Sequence, residues 1–235
     1  MENAFSRTEL LLGKEAMNLL KNKHVAIFGL GGVGGYVAEA LIRTGVGKFT
    51  LVDNDVVSLS NLNRQIISTH ETVGKYKTEV MKARMLSINP QAVVNTIRLF
   101  VLPNTINQID FSQFDYVVDA IDTVKGKLAI ITQAKKFNVP IISSMGTGNK
   151  LNPMGFVVTD INKTEMDPLA KVIRTELRKM GIKKLKVVYS KEQPIDATII
   201  DENNRRIPGS NAFVPSAAGL LIASEVIRDL ISQNE

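Results

Sequence analysis

The sequence predicts an α/β protein with a doubly wound, mostly parallel sheet, and three observations support this fold class. A glycine-rich turn, Gly-Leu-Gly-Gly-Val-Gly at residues 29–34, directly follows the apolar run 24–28. A second apolar run ends in Asp53 about twenty residues later. Beyond it, short apolar runs alternate with segments of helical periodicity. This order is typical of βαβ units, so we expect a Rossmann-like core.

The individual elements follow from periodicity and from stop signals. Strands are predicted at 24–28, 49–52, 93–100, 116–120, 139–142, 155–159 and 186–189. Helices are predicted at about 32–44, 78–88, 168–180 and 215–232. An N-terminal helix is expected before the first strand, because residues 6–9 have capping-box spacing and the apolar residues Leu10, Leu11, Met17, Leu19 and Leu20 follow.

We expect one domain over residues 1–235. Residues 1–150 would form the nucleotide-binding core, and residues 151–235 a C-terminal extension of the same sheet. The polar stretch 190–211 contains two prolines and a glycine, which predicts a mobile loop at the active site. A surface connection without a role is the alternative.

Composition excludes several classes of function. The chain has 235 residues, no cysteine and a net charge of +6. Without cysteine it can form neither a disulfide nor a thiolate zinc site, and it has no thiol nucleophile. The excess of lysine and arginine favours an anionic partner. No apolar run reaches the roughly 18 residues of a membrane-spanning helix, so we expect a cytoplasmic protein without a membrane partner.

The glycine turn predicts a nucleotide site. Gly29, Gly31, Gly32 and Gly34 would let the backbone approach a phosphate chain, and the helix that follows would offer its N-terminal N–H groups to the anion. Asp53, at the end of the next strand, could accept hydrogen bonds from ribose hydroxyls. Nicotinamide and flavin enzymes share this turn, so the turn alone does not identify the nucleotide.

The residues downstream of Asp53 are more discriminating. Residues 53–65 read Asp-Asn-Asp-Val-Val-Ser-Leu-Ser-Asn-Leu-Asn-Arg-Gln, and Lys77 follows. Two short motifs come next in order: Ser-Ile-Asn-Pro at 87–90 and Asp-Ala-Ile-Asp at 119–122. This set resembles the fingerprint of the ubiquitin-activating-enzyme superfamily, whose simplest members adenylate carboxylates.

The resemblance implies a role for each polar residue of the set. Arg64 and Lys77 would stabilise the charge that builds on the triphosphate. Asp122 would hold Mg²⁺ through its oxygens. Asp55 and Asn61 are weaker candidates, because Asp55 could only close a turn and Asn61 could only orient the loop. A further arginine, matched by Arg7, reaches the triphosphate from the partner subunit in this superfamily, which implies a homodimer.

Three further segments resemble one branch of the superfamily, the tRNA threonylcarbamoyladenosine dehydratases. They are residues 5–11, 144–150 and 213–219. The resemblance implies ATP-dependent adenylation of the threonyl carboxylate on a modified adenosine beside the tRNA anticodon, followed by ring closure. The substrate would supply the nucleophile, which suits a chain without cysteine. It also raises a sulfur-transfer or sulfur-acceptor accessory protein as a partner.

Three alternatives stay open at this point. An adenylyltransferase of the molybdopterin or thiamine type would activate the C-terminal Gly-Gly of a sulfur-carrier protein. A nicotinamide oxidoreductase would leave Arg64 and Lys77 without a function. A tRNA-binding nucleotide sensor would bind both ligands without turnover.

A basic stretch is the candidate surface for tRNA phosphates. Its members lie on and after one amphipathic helix and in the polar loop: Lys171, Arg174, Arg178, Lys179, Lys183, Lys184, Lys186, Lys191, Arg205 and Arg206. Such contacts supply affinity with little sequence information. A solvated helix face is the alternative for any single residue.

Overall fold

One seven-stranded sheet organises the computed structural model, which describes residues 3–200 and 206–232. Its strands are β1 His24–Phe28, β2 Lys48–Val52, β3 Val93–Ile97, β4 Tyr116–Asp119, β5 Ile141–Ser144, β6 Phe156–Asp160 and β7 Lys186–Ser190. The spatial order is β3-β2-β1-β4-β5-β7-β6, and only β6 runs antiparallel to its neighbour. The predicted doubly wound, mostly parallel sheet is confirmed, and the C-terminal part extends it through β6 and β7.

Seven helices accompany the sheet in the described part of the chain. They are α1 Ser6–Leu12, α2 Lys14–Asn22, α3 Gly34–Thr44, α4 Lys77–Ile88, α5 Val124–Lys136, α6 Pro168–Lys179 and α7 Val214–Ser232. Apolar side chains of α2, α3, α4 and α7 pack on one face of the sheet, and those of α5 and α6 pack on the other. Burial of both faces explains why the strands read as nearly continuous apolar runs.

The N-terminal segment differs from its prediction. It forms two helices, because Gly13 breaks the helical path with a φ of 84°. The capping box is wrong: Phe5 is the N-cap, and the Ser6 hydroxyl accepts a hydrogen bond from the Asn3 N–H. Only the second half of the predicted apolar face packs: Leu10 and Leu11 are 88% and 83% exposed, whereas Leu20 is buried and Met17 packs against the core.

Two strands are shifted from their predicted positions. β3 ends at Ile97 rather than at residue 100. β5 begins at Ile141 rather than at residue 139, since the Val139 N–H closes the end of α5 by donating to Ala134 O. Pro140 has no N–H to give to a strand ladder. At the start of β5, these backbone contacts therefore override the apolar pattern.

The polar stretch 190–211 is not structureless. It contains a two-stranded antiparallel ladder formed by β8 Thr198–Ile200 and β9 Arg206–Pro208. Ile207, Pro208 and Ser210 line the cavity of the candidate site, so the stretch does border that site. Its mobility stays a prediction.

The topology places a crevice at one edge of the sheet. The strand order reverses between β1 and β4, and in doubly wound sheets ligands bind at the carboxyl ends of the strands beside such a switch point. None of the helices in the described residues is both long enough and apolar enough to span a bilayer.

Candidate active site

A cavity of about 750 Å³ lies at the switch point. It brings together most of the predicted site residues: Gly29, Gly31, Gly32, Asp53, Asp55, Asn61, Arg64, Lys77 and Asp122. Gly34 and Arg7 do not line it. Residues separated by about ninety positions in the chain therefore share one surface, as the motif spacing predicts.

Two glycines of the turn, Gly29 and Gly34, have no room for a side chain. A Cβ on Gly29 would lie 2.8 Å from the Ala120 carbonyl oxygen, and Gly29 has a φ of 88°. A Cβ on Gly34 would lie 1.8 Å from the Gly29 carbonyl oxygen, so Gly34 acts by letting α3 pack against the turn. No side chain caps the N-terminus of α3. The Gly35 and Tyr36 N–H groups already donate to Gly31 O and Val33 O, so the Gly34 N–H, which has no such partner among the described residues, is the one suited to an anion.

Asp53 is held rigidly at the end of β2. Its Oδ2 accepts a hydrogen bond from the Leu30 N–H at 2.6 Å, and its Oδ1 accepts one from the Asp55 N–H at 2.8 Å. Burial raises the pKa of Asp53, and the charge of Lys77 and the two N–H groups offset only part of this rise. Each oxygen retains a lone pair for a further donor, such as a ribose hydroxyl.

The two predicted cations are anchored differently. The Lys77 Nζ pairs with Asp55 Oδ2 at 2.8 Å, where the Lys77 side chain is 7% exposed and that of Asp55 is 57% exposed. Arg64 is half-buried, and its Nη1 donates to Ser60 O and Asn63 Oδ1, both at 2.9 Å. Burial lowers the pKa of Arg64, but a guanidinium stays charged at neutral pH.

Asn61 and Gln65 flank Arg64 on the same turn. Asn61 Oδ1 accepts a hydrogen bond from the Ser58 N–H at 3.1 Å, so its side chain orients the loop. Gln65 is the last residue of the fingerprint segment 53–65 but had no predicted role; it lines the cavity and is 6% exposed. Its Oε1 is buried without a hydrogen-bond partner among the described residues. A buried acceptor of this kind is one that a ligand or water would satisfy.

Asp122 lies just beyond β4 and is exposed on the cavity wall. Within residues 3–200 and 206–232, no three His, Cys, Asp or Glu side chains cluster as a ready-made metal site. Mg²⁺ is commonly held by one or two carboxylates together with substrate phosphates. The donor set therefore suits a Mg²⁺ ion that arrives with a nucleotide.

A comparison with protein families assigns the chain. The model of the ThiF family matches residues 5–235. The chain belongs to the ThiF family.

Two relatives of this ThiF-family protein carry the same name. It is 44% identical to the tRNA threonylcarbamoyladenosine dehydratase of Bacillus subtilis, over 100% of this chain and 97% of the relative. The Escherichia coli enzyme of that name is 40% identical over 74% of this chain and 65% of the relative. The resemblance to the dehydratase branch is thereby confirmed.

A solved structure of the E. coli enzyme in complex with AMP superimposes with a TM-score of 0.90 at 33% identity. The match covers 98% of this chain and 95% of that one. The same enzyme in complex with ATP gives a TM-score of 0.89. The fold of the ThiF-family chain is therefore that of a protein whose structures contain adenine nucleotides.

The sequence analysis missed a buried ion pair beneath the cavity. Lys127 and Asp119 are both 0% exposed, and Lys127 Nζ lies 3.1 Å from Asp119 Oδ2. Lys127 also donates to Ser144 O at 2.7 Å, and Ser143 Oγ donates to Asp119. The network ties the ends of β4 and β5 together, directly below the cavity wall. The signal was available, since Lys127 interrupts an apolar helix face.

A second buried pair supports the opposite wall. Lys150 Nζ lies 3.2 Å from Asp167 Oδ2 and donates to Gly146 O at 2.6 Å. Asp167 also accepts hydrogen bonds from the Gly146 N–H and from the Ala170 N–H at the start of α6. This pair fixes the loop 146–148, which lines the cavity.

Some predicted residues lie outside the cavity. Arg7 is exposed on α1, and its action in a neighbouring subunit stays a prediction. In the basic stretch, Arg174 donates to Thr164 O and Lys186 pairs with Asp229, so these two have structural partners. The other described members, apart from Arg206, are exposed: Lys171, Arg178, Lys179, Lys183, Lys184 and Lys191. Arg205 lies outside the described residues, and Arg206 belongs to β9.

Proposed function

We propose that this protein is an ATP-dependent tRNA threonylcarbamoyladenosine dehydratase. The observation that carries the proposal is one cavity that combines the glycine turn, Asp53 and the cations Arg64 and Lys77. The name borne by the full-length B. subtilis relative supports the substrate, and the AMP and ATP complexes of the E. coli relative support the nucleotide.

The residues present fit ATP. The glycine turn would cradle phosphates, Asp53 would accept the ribose hydroxyls, and Gln65 has an unsatisfied buried acceptor at the same site. Bound ATP would supply AMP as a leaving group for the substrate carboxylate.

The reaction requires no protein nucleophile. A carboxylate oxygen of the threonyl group would bond to the α-phosphorus as pyrophosphate leaves. A nucleophile of the same modified side chain would then attack the acyl carbon and lose its proton, and the former carboxylate oxygen would leave as part of AMP. The sum is the loss of one water. An attack within one side chain has a high effective molarity, which agrees with a chain that has no cysteine.

The protein's own side chains would stabilise the charge of the phosphates and position the nucleotide. Arg64 would face the phosphates with its unused N–H groups, and Lys77 would exchange part of its contact with Asp55 for phosphate. Asp122 would hold Mg²⁺ against the phosphates. Arg7 of a second copy would complete the site in a homodimer. A cytoplasmic location and a sulfur-transfer or sulfur-acceptor accessory protein belong to the same proposal.

The test is the mass of the modified nucleoside. Transfer RNA that carries the open modification is incubated with protein and ATP, digested and analysed by mass spectrometry. We expect loss of one water only when both are present, and a much slower loss with Lys77→Gln. Lys75→Gln is the matched control, because Lys75 is exposed two residues away.

The alternatives give different outcomes in the same assay. A sulfur-carrier adenylyltransferase would ignore tRNA and exchange pyrophosphate with a carrier ending in Gly-Gly. A nicotinamide oxidoreductase would bind NAD rather than ATP. A nucleotide sensor would bind ATP and tRNA without forming AMP. Any of these results in place of the water loss would overturn the proposal.

A further inference from the structure

The side-chain amide of Asn63 joins two parts of the cavity wall that are far apart in sequence. Its Oδ1 accepts a hydrogen bond from Arg64 Nη1 at 2.9 Å. Its Nδ2 donates to the Ser210 carbonyl oxygen at 3.0 Å. A guanidinium can only donate and a carbonyl oxygen can only accept, so the two partners fix the orientation of the amide.

The contact constrains the direction of Arg64. Both N–H groups of its Nη1 are used, one by Ser60 O and one by Asn63 Oδ1. The three N–H groups on Nε and Nη2 have no hydrogen-bond partner within residues 3–200 and 206–232. Because the guanidinium is planar, fixing one edge sets the direction of the other donors. Arg64 lines the cavity, where those donors are available to phosphate.

The Ser210 end of the bridge is equally well anchored. The neighbouring Gly209 exchanges hydrogen bonds with Asn149, whose N–H donates at 2.8 Å and whose Oδ1 accepts at 2.6 Å. On the other side, Asn211 Nδ2 donates to Lys150 O at 2.8 Å. The segment 209–211 is thus attached to the loop that forms the opposite cavity wall. Asn63 connects this segment to Arg64, on the side of the cavity proposed to bind phosphate.

We propose that Asn63 is a positioning residue, which directs the Arg64 guanidinium toward the triphosphate and couples that direction to segment 209–211. Its side chain is exposed, so its replacement creates no core cavity. The inference rests on the proposed function for its nucleotide. It does not depend on the identity of the tRNA substrate.

Nucleotide binding tests the first half of the proposal. In calorimetric titrations we expect Asn63→Ala to weaken ATP binding about tenfold, as for loss of one hydrogen bond to a charged group, and AMP binding by less than about twofold. In an Arg64→Ala background, Asn63→Ala should cause no further loss. Independent, additive losses in ATP affinity, or equal losses for ATP and AMP, would overturn the role of Asn63 in directing Arg64.

Hydrogen exchange tests the second half without any ligand. We expect faster amide exchange across residues 207–214 in Asn63→Ala. Asn63→Asp keeps the acceptor for Arg64 but loses the donor for Ser210 O, so it should retain ATP affinity and still show the faster exchange. Unchanged exchange in both variants would overturn the coupling.

Asn162→Ala is the matched control. Asn162 is also exposed, and its Nδ2 donates to a main-chain carbonyl, that of Lys183, at 2.9 Å, but it lies outside the cavity. It should change neither ATP binding nor exchange at 207–214. If the wild-type protein binds ATP but fails to remove water from tRNA, the proposed function fails while the role of Asn63 stands on these measurements.

Discussion

Two kinds of ion pair lie in or below the cavity. Their different solvent exposure distinguishes a pair that can take part in ligand binding from a pair that supports the structure. On the side of the glycine turn, Lys77 pairs with Asp55, whose side chain is 57% exposed. Below the cavity, Lys127 and Asp119 are both 0% exposed. An ion pair with one solvated partner can give up part of its contact to a phosphate. A fully buried pair cannot, because any unpaired charge would remain out of water.

The comparison teaches that a lysine near a phosphate site is not thereby a phosphate ligand. Lys127 and Lys150 lie close to the cavity, but their donors are used by carboxylates and main-chain carbonyls. Arg64 has donors left over. Substitutions should therefore divide into those that lower stability and those that lower activity.

The largest effect is expected at the buried pair. Lys127→Met leaves Asp119 charged and unpaired, which should lower the free energy of unfolding by about 3–5 kcal/mol. Denaturant titration followed by circular dichroism measures it. Lys125→Met, at an exposed position of the same helix, should change it by less than about 0.5 kcal/mol. Similar stabilities for the two variants would contradict a structural role for Lys127.

The next effect falls on activity alone. Arg64→Ala should slow AMP formation by about 10²–10³-fold, the usual result of removing one preorganised donor from a developing charge. Its free energy of unfolding should change by less than about 1 kcal/mol, because the side chain is only half-buried. Stopped assays of AMP release, alongside denaturant titration, measure both. A large decrease in the free energy of unfolding would instead give Arg64 a structural role like that of Lys127.

The sequence predicted the fold, and it predicted that the glycine turn, Asp53, Arg64 and Lys77 lie together, because these signals are local. The glycine turn, the strand ending in Asp53 and the spacing to Arg64 and Lys77 are each readable within a short window, and the cavity unites them. The N-terminal segment is helical as predicted, but Gly13 divides it into two helices.

The supporting contacts were only partly predictable from a short window, because Lys127 interrupts an apolar helix face but that pattern does not specify its partners. Asp119 ends β4 and pairs with Lys127 in the first turn of the next helix, α5. Its other partner, Ser143, comes from a different strand, β5. Asn63 meets Ser210 across 147 positions. Such pairings depend on which strands become neighbours, and the chain pattern does not specify side-chain partners across the sheet.

A third effect depends on pH. Burial raises the pKa of Asp53 above its usual value of 3.8, so the carboxylate is protonated at a higher pH than an ordinary aspartate. AMP affinity should therefore fall as the pH drops through this raised pKa, by up to about tenfold per pH unit below it. The sign for stability is opposite: the ionised form is disfavoured in the fold at neutral pH, and that cost disappears on acidification.

Titration of AMP affinity between about pH 7 and pH 4 measures this effect. Asp53→Asn should bind AMP more weakly at neutral pH and lose this pH dependence. A profile for Asp53→Asn that parallels the wild type would show that another group controls nucleotide binding.

The smallest effect is expected on the basic surface. Removing one exposed lysine after α6, as in Lys183→Gln, should reduce the slope of log affinity for tRNA against log salt by about one. Lys21→Gln, on the distant helix α2, is the control. Filter-binding at several salt concentrations measures the slopes. Equal slopes for the two variants would exclude Lys183 from the tRNA surface.

Activation of the substrate carboxylate is tested most directly by following an oxygen atom from that carboxylate into AMP. Modified tRNA is prepared with heavy oxygen in the threonyl carboxylate and incubated with the protein and ATP, and the AMP is analysed by mass spectrometry. Adenylation of the carboxylate predicts AMP that carries one heavy oxygen, in an amount equal to the water lost from the tRNA. Unlabelled AMP, or ADP and phosphate in place of AMP, would contradict it.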